Sequence, residues 1–143
     1  MAELLVRIGE PQIVGPVPGG VRAIVPILGG HIAGPGLRGQ VLAGGADWAM
    51  LRDDGSADVD ARYLIALDDG SLVAVHNTGR CLPVPDHDQM YGGLSTPRLE
   101  CATPALAWLG ASTLVASFRS DLARREVRLS LLRVAVDGAA TLP

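Results

Sequence analysis

The chain has 143 residues and a formal net charge of −3, the length of one domain and an acidic balance unlike the basic face of an electrostatic nucleic-acid binder. All twelve basic residues are arginine, which excludes a Schiff-base lysine and a Walker-type phosphate lysine. Hydrophobic residues make up 48% and aromatic residues 3%, so an aliphatic core is expected, with Trp48, Tyr63, Tyr91, Trp108 and Phe118 as the few bulky walls for a ligand.

Glu3 to Ile8 alternates and is expected to open the fold as a strand. Pro11, Gly15, Pro16, Pro18, Gly19 and Gly20 then argue against regular structure until Val21. Val21 to Ile27 reads as a strand, with Pro26 favouring an edge or a bulge. Gly29-Gly30 is expected to turn the chain, and Gly34-Pro35-Gly36 to break it before Leu37 to Leu42. Gly44-Gly45 leads into a strand holding Asp47 and Trp48. Along Ala57 to Leu67 charged and apolar residues take turns. One face of that strand therefore carries Asp58, Asp60 and Arg62, and the other Val59, Ala61, Tyr63 and Ile65. Asp53-Asp54-Gly55 and Asp68-Asp69-Gly70 flank it as hairpin turns.

Leu72 to Val75 continues the pattern through His76 and Asn77 to Gly79. The polar stretch from Cys81 to Gly93 reads as a mobile surface loop, a lid. Pro97 to Ala102 is a strand candidate, and Pro104 to Leu109 a helical turn, since proline suits a first turn. Ser112 to Phe118 and Glu126 to Val136 make a last pair of strands. About eight to ten strands at hairpin spacing, with no amphipathic helix of useful length, predict an all-β fold. A single antiparallel β-barrel over residues 1–143 is favoured over a sandwich, because closure removes apolar edges.

Cys81 and Cys101 have no CxxC spacing and are expected to be free thiols. The opening MAELLVRIGE is unlike a signal peptide, and no apolar run nears the ~18 residues of a membrane span. A soluble cytoplasmic protein, with no membrane partner, is the expectation.

Asp47, beside Trp48, is the candidate general base, with burial raising its proton affinity. Arg62 is the candidate for holding a carbonyl or enolate oxygen, with Asp60 moving a proton beside it. Arg22 and Glu100 would complete the charged cluster, His76 would shuttle protons, and Tyr91 would donate a hydrogen bond from the lid. Trp48 and Trp108 would wall the pocket. Each has a structural alternative: ion pairing for the charged groups, turn-pinning for Asp47, core packing for the tryptophans. Asp86-His87-Asp88 makes no metal site, because adjacent loop residues rarely converge on one ion, and no histidines stand at HExxH spacing. Nor is there a GxGxxG-helix unit or a nucleophile elbow. No metal and no cofactor are expected.

An ordered set of motifs runs through nearly the whole chain: Gly20-Val21-Arg22, Gly29-Gly30, Gly34-Pro35, Leu37-Arg38-Gly39, Gly44-Gly45-Ala46-Asp47-Trp48, Asp54-Gly55, Asp60-Ala61-Arg62-Tyr63, Asp68-Asp69-Gly70, Pro97-Arg98-Leu99-Glu100 and Ala107-Trp108-Leu109. This set resembles the bacterial and fungal family known as domain of unknown function 3237. The resemblance implies a calycin-like β-barrel, small-molecule metabolism including natural-product tailoring, and no generally required cofactor. The family's usual Phe-Glu is Leu99-Glu100 here, its arginine is missing near Leu94, and Gly110 stands where asparagine follows Trp-Leu. The expected activity is that of a cofactor-free lyase, isomerase or cyclase acting on a partly apolar carbonyl compound. The alternatives are a non-catalytic carrier of a small ligand and, third, a homo-oligomer-building module.

Overall fold

The computed structural model describes residues 1–135, in which alternating apolar positions become strands of a single sheet. The strands are β1 (Ala2–Ile8), β2 (Gln12–Val17), β3 (Gly20–Ala33), β4 (Gly39–Val41), β5 (Ala46–Leu51), β6 (Ala57–Leu67), β7 (Leu72–Pro83), β8 (Met90–Cys101), β9 (Thr113–Asp121) and β10 (Glu126–Val134). They pair antiparallel in the order β1-β10-β9-β8-β7-β6-β4-β3-β2, and β1 also pairs with β3, which closes an all-β, eight-strand barrel. β4 and β5 share one place in the ring: β4 bridges β3 and β6 near Gly30 and Leu67, and β5 bridges them near Val21 and Ala57. Period-two alternation turns Ala2, Leu4, Val6 and Ile8 of β1, and Ala57, Ala61, Tyr63, Ile65 and Leu67 of β6, toward the interior.

Closure explains why Gly29-Gly30 is not the turn expected from its composition. β3 runs straight through both glycines, because β1 lies against them. Gly30 sits at φ +137°, and a Cβ there would run into the Leu5 carbonyl. Gly30→Ala is therefore expected to cost roughly 2–4 kcal/mol, combining backbone strain with a clash at the closing seam. A denaturation midpoint equal to that of the parent would contradict this.

Two other stretches are more regular than expected. Residues 12–17 form β2 despite their prolines and glycines, since β2 pairs only with β3 and its outer edge needs no donors. A register shift between Ile13 and Gly15 absorbs the irregularity. The stretch Cys81–Gly93 is mostly hairpin: β7 continues to Pro83, β8 begins at Met90, and only the connection at 84–89 is loop, with positive φ at Asp86 and Gln89. The Asp-Gly turns form as expected, with Asp54 accepting the Ser56 N–H at 2.9 Å and Asp69 accepting the Ser71 N–H at 2.8 Å. The last strand stops at Val134 among the described residues, and Val136 lies outside them.

Between β8 and β9 a 3₁₀ turn (Pro104–Leu106) and α1 (Trp108–Ala111) seat Leu106 and Leu109 against one end of the barrel. Leu4, Ile32, Ile65, Val75, Leu99 and Leu131 fill that half. The other end carries the β2–β3, β5–β6, β7–β8 and β9–β10 turns. Among the described residues no helix is long and apolar enough to cross a membrane.

Candidate functional site

The half of the barrel away from α1 is hollow. A cavity of about 200 Å³ lies between Val6 and Ile8 of β1, Ala23, Val25 and Ile27 of β3, and Phe118, Val127 and Leu129 of the opposite wall. Ile13, Leu51 and Leu122 also line it, and they are 61%, 40% and 38% exposed, so the cavity opens to solvent past an apolar rim. Such a closed-floored hollow is compatible with small-molecule binding. The polar residues lining it are Asp47, Asp58, Tyr63, Asn77, Cys81, Tyr91 and Ser120, and the lining includes no arginine or histidine.

Strand register places Asp47 and Asn77. Asp47 pairs with Ala61, and Ala61 pairs with Asn77, so the three lie on one rung across β5, β6 and β7. All three line the cavity, with the small Ala61 between the carboxyl and the amide. The β5–β6 ladder skips the next two rungs. There the Asp60 N–H donates to Asp47 Oδ1 at 2.8 Å, and the Trp48 carbonyl accepts instead from Arg22 at 2.9 Å. One carboxylate oxygen is thus anchored, while Oδ2 makes no hydrogen bond among the described residues. Burial pushes the Asp47 pKa up to about 6, against the lowering effect of the Asp60 N–H. Asn77 is 4% exposed, and its Oδ1 is buried without a partner among the described residues, as is the Ser95 hydroxyl. Burial also pushes the Cys81 thiol up to about 11, which keeps it neutral and inert at pH 7. At the rim, burial works against a charged Asp58, but hydrogen bonds from Arg80 and Arg52, each 2.9 Å, outweigh it and hold that carboxyl below its ordinary value.

The charged residues named from the sequence separate onto two faces. Asp47 and Tyr91 line the cavity, whereas Arg62 is exposed on the outer wall. Asp60 shares that outer face and meets His76, with Oδ1 and Nε2 2.8 Å apart, both partly exposed. Arg62 lies opposite His76 in register, and Glu100 borders the same shallow outer surface. Arg22 holds the Trp48 carbonyl, and the Trp48 ring is 47% exposed outside. Trp108 sits at the far end under the Arg133 guanidinium, 5.4 Å from the ring centre. The expected meeting of Arg62, Asp60 and Asp47 in one hollow therefore does not form. The reason is geometric: Asp47 is in register with Ala61, so when both point inward, Asp60 and Arg62 on either side must point outward.

Asn77 is the cavity residue the sequence reading passed over. Its signal was present: along β7 it takes the inward position two after Val75, where the alternation calls for an apolar side chain. Among the described residues no group of three or more His, Cys, Asp or Glu is gathered as a metal site would require.

Comparison with known proteins agrees with this architecture. A UPF0311 protein of Rhodopseudomonas palustris is 37% identical over 114 residues, covering 72% of this chain and 74% of that one. One from Clostridium acetobutylicum is 40% identical over 81 residues, covering 57% and 48% respectively. A crystal structure of a conserved Rhodopseudomonas palustris protein of unknown function superposes with a TM-score of 0.85 at 30% identity, over 94% of each chain. A beta-barrel like protein from Acinetobacter baumannii gives a TM-score of 0.83 at 26% identity, over 94% of this chain and 93% of that one. A structure described as an enzyme from Penicillium herquei gives 0.69 at 21% identity, over 92% and 91%, a likeness of fold alone. The model of the family described as "Protein of unknown function (DUF3237)" matches residues 1–134, and the chain belongs to that family.

Proposed function

We propose that the hollow binds a small, largely apolar molecule and that Asp47 moves a proton on it, without a cofactor. The observation that carries this reading is the carboxyl group of Asp47, paired with no arginine among the described residues, on the wall of a largely apolar, open-mouthed cavity whose other carboxyl, Asp58, is held at the rim by Arg52 and Arg80. With a pKa of about 6 the group is mostly ionised at pH 7, yet more basic than a solvated carboxylate. The Asp60 N–H fixes Oδ1 and leaves Oδ2 to accept a proton from the substrate. Once protonated, the same group can return the proton at a second carbon or oxygen, which spans isomerisation, elimination and ring closure. Asn77 on the same rung offers the second polar contact, in place of the outward-facing Arg62.

A nitrobenzisoxazole tests this base directly. A carboxylate takes the ring C–H proton, the N–O bond breaks, and a cyanophenolate leaves with the bond's electrons. The protein is expected to accelerate this opening, with a rate that rises through about pH 6 and then levels. A rate no greater than that of free acetate at the same concentration would defeat the proposal.

The second reading, a carrier, is favoured by the packed floor, which leaves an apolar ligand a single way in. A carrier returns every bound ligand chemically unchanged and leaves the benzisoxazole closed.

A further inference from the structure

The bond that anchors Asp47 belongs to an exchange of donors that starts on the outer wall. The Gly45 carbonyl of the β5 approach accepts the Ile27 N–H of β3. Trp48 lies three residues further on, so the alternation of an antiparallel strand turns its carbonyl the other way, toward β6. The regular partner of that carbonyl is the Asp60 N–H, between the Ala46–Arg62 and Met50–Asp58 pairs. Instead the Asp60 N–H donates to Asp47 Oδ1 at 2.8 Å, and Arg22 Nη1 donates to the Trp48 carbonyl at 2.9 Å. A backbone N–H serves one acceptor well, so the carboxyl holds this one only where the Trp48 carbonyl has another donor.

Register puts Arg22 in place to be that donor. Ala23 lines the cavity, so Arg22 beside it projects from the outer face. It pairs with Met50, two residues from Trp48 along β5. Its guanidinium makes no hydrogen bond to Asp47 among the described residues. A direct ion pair would pull the proton affinity of the carboxyl down. Donation to the backbone fixes Oδ1 and leaves Oδ2 basic.

Taking Asp47 as the base of the hollow, we infer that Arg22 is its positioning residue. By occupying the Trp48 carbonyl it releases the Asp60 N–H to hold Asp47 Oδ1, and so sets the orientation and strength of the base from outside the cavity.

The other ionisable groups around Asp47 are Asp60 and Tyr63 on β6, Cys81 on β7 and Tyr91 on β8. Asp60 is bonded to His76, and Asp58 at the rim is held by Arg52 and Arg80. Against the burial that raises the Asp47 pKa, the Asp60 N–H and the charge of Arg22 both favour the ionised form. Removing Arg22 is expected to return the Asp60 N–H to Trp48 and restore the skipped Trp48–Asp60 rung. Asp47 then loses both favourable influences, and its midpoint rises from about pH 6 to about pH 7 or higher.

NMR of the full chain tests this by following the Asp47 carboxyl carbon and the Asp60 amide proton through the carboxyl's titration. In the parent the amide is expected to move with the carboxyl, both with a midpoint of about pH 6. In Arg22→Met the midpoint is expected to rise and the amide to stop following it, and the pH profile of benzisoxazole opening to shift by the same amount. Arg22→Lys is expected to restore the parent's behaviour, since the contact uses a single N–H and an ammonium supplies one. An Asp60 amide indifferent to the Asp47 transition in the parent overturns the inference without any variant. So does an Arg22→Met midpoint still at about pH 6, which would mean that water serves the Trp48 carbonyl equally well. In either case benzisoxazole opening by Asp47 would stand. The NMR signals need no substrate, so a parent that opens no benzisoxazole defeats the proton-transfer proposal and leaves the exchange of hydrogen bonds measurable by itself.

Discussion

Asp47→Asn will slow benzisoxazole opening by about 10²–10⁴-fold, the usual contribution of a positioned base. Asparagine keeps the shape of the side chain and can still accept the Asp60 N–H that now meets Oδ1 at 2.8 Å. What it removes is the proton-accepting oxygen, so the barrel is expected to remain folded with its cavity intact. Cys81 cannot stand in, because its thiol is held near a pKa of about 11. A variant retaining the parent's rate would eliminate Asp47 as the base.

The same substitution should raise stability, and the sign follows from proton uptake. Asp47 has a folded pKa of about 6, chiefly through burial, against an ordinary value of 3.8. Between those values the folded chain holds more protons than the unfolded one, so stability falls as pH rises through this window. The penalty is absent below pH ~4, grows to about pH 6 and is complete above it, on the order of 2–3 kcal/mol. Asp47→Asn is spared it. Denaturant titrations of parent and variant should therefore diverge at pH ~7 and converge near pH ~4. Stability gained in exchange for lost chemistry is the mark of a group kept for function.

The second large effect concerns space. Ala61 separates Asp47 from Asn77 on one rung, and the cavity in front of it is about 200 Å³. Ala61→Leu places added bulk between the two polar groups, where a single methylene already changes pocket affinity by about 10–200-fold. Binding of a single-ring ligand is expected to drop about 100-fold or more. Because leucine enters empty volume, stability should stay level or rise by about 1 kcal/mol. Retained affinity would mean that ligands bind elsewhere. A large loss of stability would mean that this part of the barrel is packed.

Local chemistry made much of the fold legible. The alternation in Ala57–Leu67 marks β6 and assigns its residues to two faces, and Asp54-Gly55 and Asp69-Gly70 mark the turns on either side. Where reading failed, a distant partner intervened. Gly29-Gly30 looks like a turn until β1 lies against it, and Pro16 looks like a break until β2 takes the outermost position. The site divides in the same way. Asp47 beside Trp48 was visible as a carboxyl with apolar neighbours, and it does line the hollow. Arg62, Asp60, Arg22 and Glu100 were equally visible as charges, and they stand on the outer wall or its edges.

The sequence by itself determined the period-two pattern, the aliphatic interior, the hairpin turns and the two faces into which each strand sorts its side chains. Only the tertiary structure decided that Asp47 points inward and Arg62 outward, that Asn77 is buried on the same rung two strands away, and that half of the barrel is hollow. Period two divides residues into two sets without labelling either as inside. That label comes from register between strands far apart in the chain and from the β1–β3 seam, which bends the sheet until one face encloses the other's opposite.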